Sequence, residues 1–369
     1  MDPDALQDEV DAWVRDGIIT ESQAEAILER YEGADDGGRS RAVVALSLVG
    51  SALVFVGVTL FLATNWDDLP TVAQVLVLLA APGSAYAGGI AAYRRALPRI
   101  GLALSLLGSV LVGPSLFLLA DLAATDIAET WLLLAWTAIA LPTGHALDSR
   151  AGVAIGLAVL AGLVADLSGS GDPIPPVAFL GIALFGFADL QSDRIQWAYR
   201  SGGAALTLLG GLLLTALDGR YGGFELDPSA VLLVTVVGSL AGAGWLLRRR
   251  ERHGATWMGA SMIAVTVATG CALFGPDPLS ETVAFLGIHA AMLVAVAATG
   301  HFGYRSDSRR FIDLAALAAL AQTLSFVAST VVDALSGSLA LVVAGLILLG
   351  AGVTLERGRR TLLSRLDGS

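Results

Sequence analysis

The chain of 369 residues contains no lysine, one cysteine and four histidines, and charged residues make up only 15% of it. Each shortage excludes something. A soluble globular chain carries about 25% charged residues, so this one cannot be divided between a water-facing surface and a dry core. The single cysteine, Cys271, lies in an apolar run and excludes an intramolecular disulfide; its default role is that of a small buried hydrophobe. All 22 basic residues are arginine, against 33 carboxylates, for a net charge of -11. Binding to nucleic acid requires clustered cations, which excludes nucleic acid as a partner. There is no phosphate-binding Walker loop, no His-Glu-x-x-His, no cysteine pair for a metal and no Gly-x-Ser-x-Gly elbow. No cofactor, metal or catalytic residue is therefore predicted.

What is present is apolar sequence, 55% of the chain, at a mean hydropathy of +0.72. Runs of membrane-spanning length, about 17–25 residues, fall at 42–64, 70–93, 100–120, 129–147, 151–168, 175–190, 198–217, 229–247, 255–274, 282–303, 311–332 and 338–355. Several are short for a bilayer, and 151–168 and 175–190 are the weakest spans. Arginine provides an independent test, because it is retained on the cytoplasmic side during insertion. With the N-terminus inside and twelve crossings, 21 arginines fall on the cytoplasmic side and only Arg220 falls outside. A missed or invented span would invert every later cluster. The predicted fold is all-α: a polytopic membrane bundle of about twelve helices in the cytoplasmic membrane, embedded in lipid, with both termini cytoplasmic. Residues 1–40 are polar and the first apolar run is long, so no cleavable signal peptide is expected. The acid-rich, lysine-free composition resembles that of proteins from extreme halophiles.

Residues 1–32 read as a cytoplasmic helical hairpin. Leu6, Val10, Trp13 and Val14 form one apolar face, Gly17 ends the first helix, Thr20 and Gln23 fit a capping box, and Ala24, Ile27, Leu28 and Tyr31 form the second face. A hairpin this small cannot bury a stable core alone. Residues 3–32 are therefore expected to pack on the membrane domain, on a second copy or on a protein partner. Residues 33–41 form an acidic, glycine-containing linker, and 361–369 a cytoplasmic tail.

An internal repeat is also legible. Asp172-Pro173, Val177 to Ile182 and Tyr199-Arg200-Ser201 parallel Asp277-Pro278, Val283 to Ile288 and Tyr304-Arg305-Ser306 at offsets of 105 to 106 residues. The same offset reaches back to Asp67. The predicted organisation is three four-helix quasi-repeats, 42–150, 151–252 and 255–360, related by an axis near the membrane normal. Each Asp-Pro pair suits a helix start.

The hairpin pattern Leu6, Trp13, Gly17-Ile18-Ile19-Thr20, Gln23, Ile27-Leu28 and Tyr31, together with the loop Asn65-Trp66-Asp67-Asp68-Leu69-Pro70, resembles the predicted membrane proteins of domain-of-unknown-function family 2157. The resemblance covers about residues 1–150. It implies a membrane protein of uncharacterised activity and transfers no catalytic residue.

Polar groups at membrane depth are costly and usually face a bundle interior or water. The candidates are His289, Gln322 and Gln74, whereas Asp166, Asp189, Asp313, His145 and Asp148 sit toward span ends, where they can reach headgroups or nearby arginines. The glycines, including Gly108, Gly113, Gly210, Gly211, Gly238 and Gly242, serve close helix packing, and Pro82, Pro114 and Pro142 can kink their helices. Three readings stay open: a non-enzymatic transporter-like or membrane-sensing protein, a membrane-embedded enzyme acting on lipid-linked substrates, and an assembly factor that docks partners through the hairpin.

Overall fold

The computed structural model describes residues 9–10, 12–24, 64–169, 172–217, 230–272 and 278–334, with residues 345, 350 and 352. The expected spans 42–64 and 338–355 lie almost wholly outside the described residues, and so do the linker 33–41 and the tail 361–369. The chain divides into two compact units, Met1–Gln74 and Val75–Ser369.

In the first unit, the hairpin is built as its pattern predicts. Val10 and Ala24 are buried against each other with Trp13, Val14 and Ile19 around them. Gly17 adopts φ +71°, and the Ile18 amide donates to the Trp13 carbonyl at 2.9 Å while the Gly17 amide donates to Val14 at 3.1 Å. This is a Schellman end, which favours glycine at the left-handed position. Half of the capping box forms: the Thr20 amide donates to Gln23 Oε1 at 3.0 Å. The Thr20 hydroxyl pairs instead with that of Ser22.

Ten α-helices follow among the described residues: α1 Thr71–Arg94, α2 Pro98–Leu122, α3 Glu129–Ala146, α4 Arg150–Leu167, α5 Ile174–Gly186, α6 Asp193–Leu217, α7 Ala230–Arg248, α8 Arg252–Ala272, α9 Pro278–Arg305 and α10 Arg309–Ala334. A single 3-10 turn, Ala188–Leu190, joins α5 to α6, and no strand occurs among the described residues. The fold is all-helical, as composition predicts. Seven stretches are long and apolar enough to cross a membrane: α1, α2, α4, α7, α8, Thr282–Arg305 of α9 and Arg309–Thr330 of α10.

Three other expected spans, 129–147, 175–190 and 198–217, coincide with helices α3, α5 and α6, which are not among those seven. The 175–190 span differs most from its reading: α5 has only 13 residues, about 20 Å of helix against a hydrocarbon core of about 30 Å. Pro82, Pro114 and Pro142 lie within α1, α2 and α3, which continue through them.

Helix α6 is central, packing against α4, α5, α8, α9 and α10. Small residues permit these approaches. A Cβ on Gly210 would lie 2.8 Å from that of Ala178, one on Gly211 would lie 2.6 Å from the Met292 sulfur, and one on Gly113 would meet the Trp136 ring at 2.5 Å. One cluster of the core has an aromatic centre: Phe185, Trp257, Phe302 and Phe311, from α5, α8, α9 and α10, join Met258 and Leu246 there.

One of the three repeated sequence anchors does not occupy matching places in the helices. Tyr199-Arg200-Ser201 lies in the second turn of α6, after the short α5, whereas Tyr304-Arg305 ends the 28-residue α9. Tyr199 is buried and Tyr304 is exposed. The helix boundaries thus diverge within the 105-residue register after the shared Asp-Pro start. At that start the Asp172 carboxylate accepts the Ile174 amide at 2.8 Å, the capping role its sequence implies.

Candidate functional site

His289 and Gln322 are brought together. His289 stands 11 residues into α9 and Gln322 13 residues into α10, about 17 and 20 Å along their helices, close to mid-length in each. They are 5% and 3% exposed, and Gln322 Nε2 lies 2.5 Å from His289 Nδ1. Phe285, one turn before His289, and Phe326, one turn after Gln322, set their rings against the imidazole at centroid distances of 4.4 and 5.2 Å. On the next turn of α10, Ser325 pairs with Thr215 of α6 at 3.1 Å. With the amide nitrogen donating to Nδ1, the imidazole carries its proton on Nε2. That Nε2 and Gln322 Oε1 are buried and have no hydrogen-bond partner among the described residues.

Gln74 has a different place. It is buried near the start of α1 and its amide donates 2.7 Å back to the Trp66 carbonyl. The loop Asn65-Trp66-Asp67-Asp68-Leu69-Pro70 is thereby closed onto the helix it precedes. Pro70 accepts the amides of Ala73 and Gln74 at 2.8 and 3.1 Å, while Asp67 and Asp68 are exposed.

A second polar centre was not legible as a site in the sequence. Arg200 Nη2 donates to Asp189 Oδ1 at 2.7 Å and to Glu251 Oε1 at 2.6 Å, and Gln196 Nε2 donates to the same Asp189 oxygen at 2.5 Å. The three charged side chains are only 17–27% exposed. The guanidinium lies 5.8 Å from the Phe185 ring and 5.9 Å from that of Phe302, on top of the aromatic core. Burial raises the Asp189 carboxyl, but its hydrogen bond with Glu251 and the adjacent Arg200 outweigh that effect and hold it below its ordinary value. Burial, followed by the contact with Asp189, raises Glu251 in spite of Arg200. Two carboxylates thus share one cation, and Glu251 is the one of the two that takes up a proton more readily.

Arg200 reads in the sequence as a topology marker and repeat anchor, and Asp189 as a span end. Arg200 follows Gln196 by one helical turn, which puts both on the side of α6 that meets Asp189. Glu251 is 51 residues from Arg200, and no spacing in the sequence signals that contact.

The other span-end groups pair locally. Asp148 receives Arg194 at 3.5 Å and Ser192 at 2.9 Å. Asp166 pairs with Thr130. His145 Nε2 meets the Tyr199 hydroxyl at 3.0 Å and Gln191 Oε1 at 3.2 Å. Among the described residues no three His, Cys, Asp or Glu side chains converge as metal ligands.

No curated protein and no solved structure matches the chain. Residues 11–153, from the hairpin through the Asn65–Pro70 loop and helices α1 to α3 to the first turn of α4, match the family described as predicted membrane protein, DUF2157.

Proposed function

We propose that this is a twelve-span protein of the cytoplasmic membrane, built from three four-helix units with both termini in the cytoplasm, that moves a small polar solute or a proton through its helical bundle. The observation behind this reading is the His289–Gln322 pair: two polar side chains at mid-length in α9 and α10, each with one buried polar atom left over. A purely static interhelical bond gains nothing from that arrangement, since each unsatisfied buried group costs about 1–3 kcal/mol. A passing water or polar solute, accepting from Nε2 and donating to Oε1, satisfies both atoms. Histidine is also the side chain whose charge changes most readily near neutral pH.

The orientation is supported by the element order. The connections α1–α2, α3–α4, α5–α6, α7–α8 and α9–α10 all carry or adjoin arginines, and the stretches 123–128 and 168–173 carry none. The hairpin of residues 3–32 is the coupling element, through which a second copy or a protein partner engages.

Proteoliposomes loaded with a pH-sensitive dye test the proposal. The full-length protein is expected to speed collapse of an imposed pH gradient, and His289→Ala and Gln322→Leu, checked for folding, are expected to abolish that acceleration. Wild-type vesicles as tight as protein-free ones overturn it.

A further inference from the structure

The polar centre around Arg200 lies apart from the His289–Gln322 pair in sequence and serves different helices. Three features define it. Its two carboxylates come from separate connections, Asp189 from the α5–α6 turn and Glu251 from the α7–α8 link, and both meet one nitrogen of a guanidinium carried by the central helix α6. Aromatic rings and one neutral amide pack around it. Phe185 of α5 and Phe302 of α9 face the guanidinium. Phe311 of α10 and Trp257 of α8 stand behind them, and Gln196 of α6 supplies a neutral amide.

Nearby cations are engaged elsewhere: Arg194 with Asp148, Arg249 over Trp245 and Arg310 over Trp197. His253, two residues beyond Glu251, is exposed, as are Arg250 and Arg252. Arg200 Nε is itself buried without a partner among the described residues.

We propose that Asp189, Glu251 and Arg200 form a proton-sensitive latch, closed while the two carboxylates share one proton and opened when that proton leaves. In the closed state the Asp189 carboxylate balances the guanidinium, and the protonated Glu251, which accepts from Arg200 at Oε1, donates its proton towards that carboxylate. When the Glu251 proton passes to bulk water, two carboxylates face each other on a single cation in a poorly hydrated place, and their repulsion is relieved by moving the α7–α8 link away from the α5–α6 turn. The ligand of this device is the proton, and the moving parts are the two connections at the arginine-rich end of the bundle. Direct contacts already couple them to the core, because α5 packs against α7 and α8.

Hydrogen–deuterium exchange on the full-length protein in lipid nanodiscs tests this. After correction for intrinsic exchange, peptides covering 187–192 and 248–253 are expected to lose protection as pH rises from about 5 to about 9. The opening constant should rise about tenfold for each pKa unit by which Glu251 is displaced. Glu251→Gln, a permanent mimic of the protonated acid, should stay protected throughout, while Asp148→Asn, at the exposed pair, should keep the wild-type response. A wild type indifferent to pH, or an undiminished response in E251Q, overturns the latch. Where E251Q does not fold, infrared spectra of the wild type decide: a protonated-carboxyl band that disappears over the same range supports the latch, and one that does not change overturns it.

Discussion

Gly181 of α5 and Gly203 of α6 face each other so closely that neither tolerates a side chain. A Cβ on Gly181 would fall 2.5 Å from the Gly203 carbonyl oxygen, and one on Gly203 would strike the Gly181 oxygen in return. The obstacle is backbone in both directions, so no rotamer change relieves it. Gly203→Ala is therefore expected to destabilise the purified protein by about 1–3 kcal/mol, the usual cost of overpacking. Gly244→Ala in α7, where a Cβ meets nothing within 4 Å, should be neutral or slightly stabilising, since alanine favours a helix interior over glycine. Thermal melting in one detergent compares them, and equal losses in both variants would refute the close approach as the cause.

Close contacts of this kind also explain what the sequence reveals and what it hides. Hydropathy and arginine placement are one-dimensional signals, and they located α1, α2, α4 and α7 to α10 because lipid imposes a minimum apolar length. The same measure carries the 175–190 run past the end of its helix. Phe187 ends α5 and a 3-10 turn follows, but apolar composition continues through the break. The His289–Gln322 pair was legible because a polar residue inside an apolar run stands out. The Arg200 centre was not: its residues lie at helix ends where charge is ordinary, and only tertiary folding brings Glu251 to Arg200.

Replacing one member of the His289–Gln322 pair should cost more than replacing both. Gln322→Leu strips His289 Nδ1 of its only hydrogen-bond partner among the described residues and is expected to lower stability by about 1–3 kcal/mol. The double variant His289→Phe/Gln322→Leu removes the polar atoms together and sets a third ring beside Phe285 and Phe326, so part of that loss should return. Denaturation of the two single variants and the double variant gives the coupling directly. Strict additivity would mean that the two side chains do not act as a pair.

Trp257 is the largest fully buried side chain described. Its ring stacks on Phe185 at 4.0 Å and its indole N–H donates to Thr299 at 3.0 Å. Trp257→Ala should cost about 3–5 kcal/mol by opening a cavity between α5, α8 and α9. Thr299→Val should cost about 1–3 kcal/mol, because it leaves a buried N–H without an acceptor. Melting temperatures rank them, and a larger loss in the threonine variant would contradict the packing described.

The pH dependence of stability follows from the opposite displacements of Asp189 and Glu251. Glu251 holds its proton more tightly in the folded chain than at its ordinary value of 4.5, so its contribution is complete below that value and is lost as pH climbs through the raised one. Asp189 is held below its ordinary 3.8, so its contribution is complete above that value and is lost only in stronger acid. The two contributions coexist fully between 3.8 and 4.5, and the cluster weakens as pH climbs through the raised value of Glu251. Melting temperature should therefore decline from about pH 5 to about pH 8 more steeply in the wild type than in Glu251→Gln, which cannot lose the proton. Because the whole chain carries a net charge of -11, general repulsion also grows over that range and affects both proteins alike. The difference between the two melting curves isolates the Arg200 centre, and a constant difference would mean that Glu251 does not titrate there.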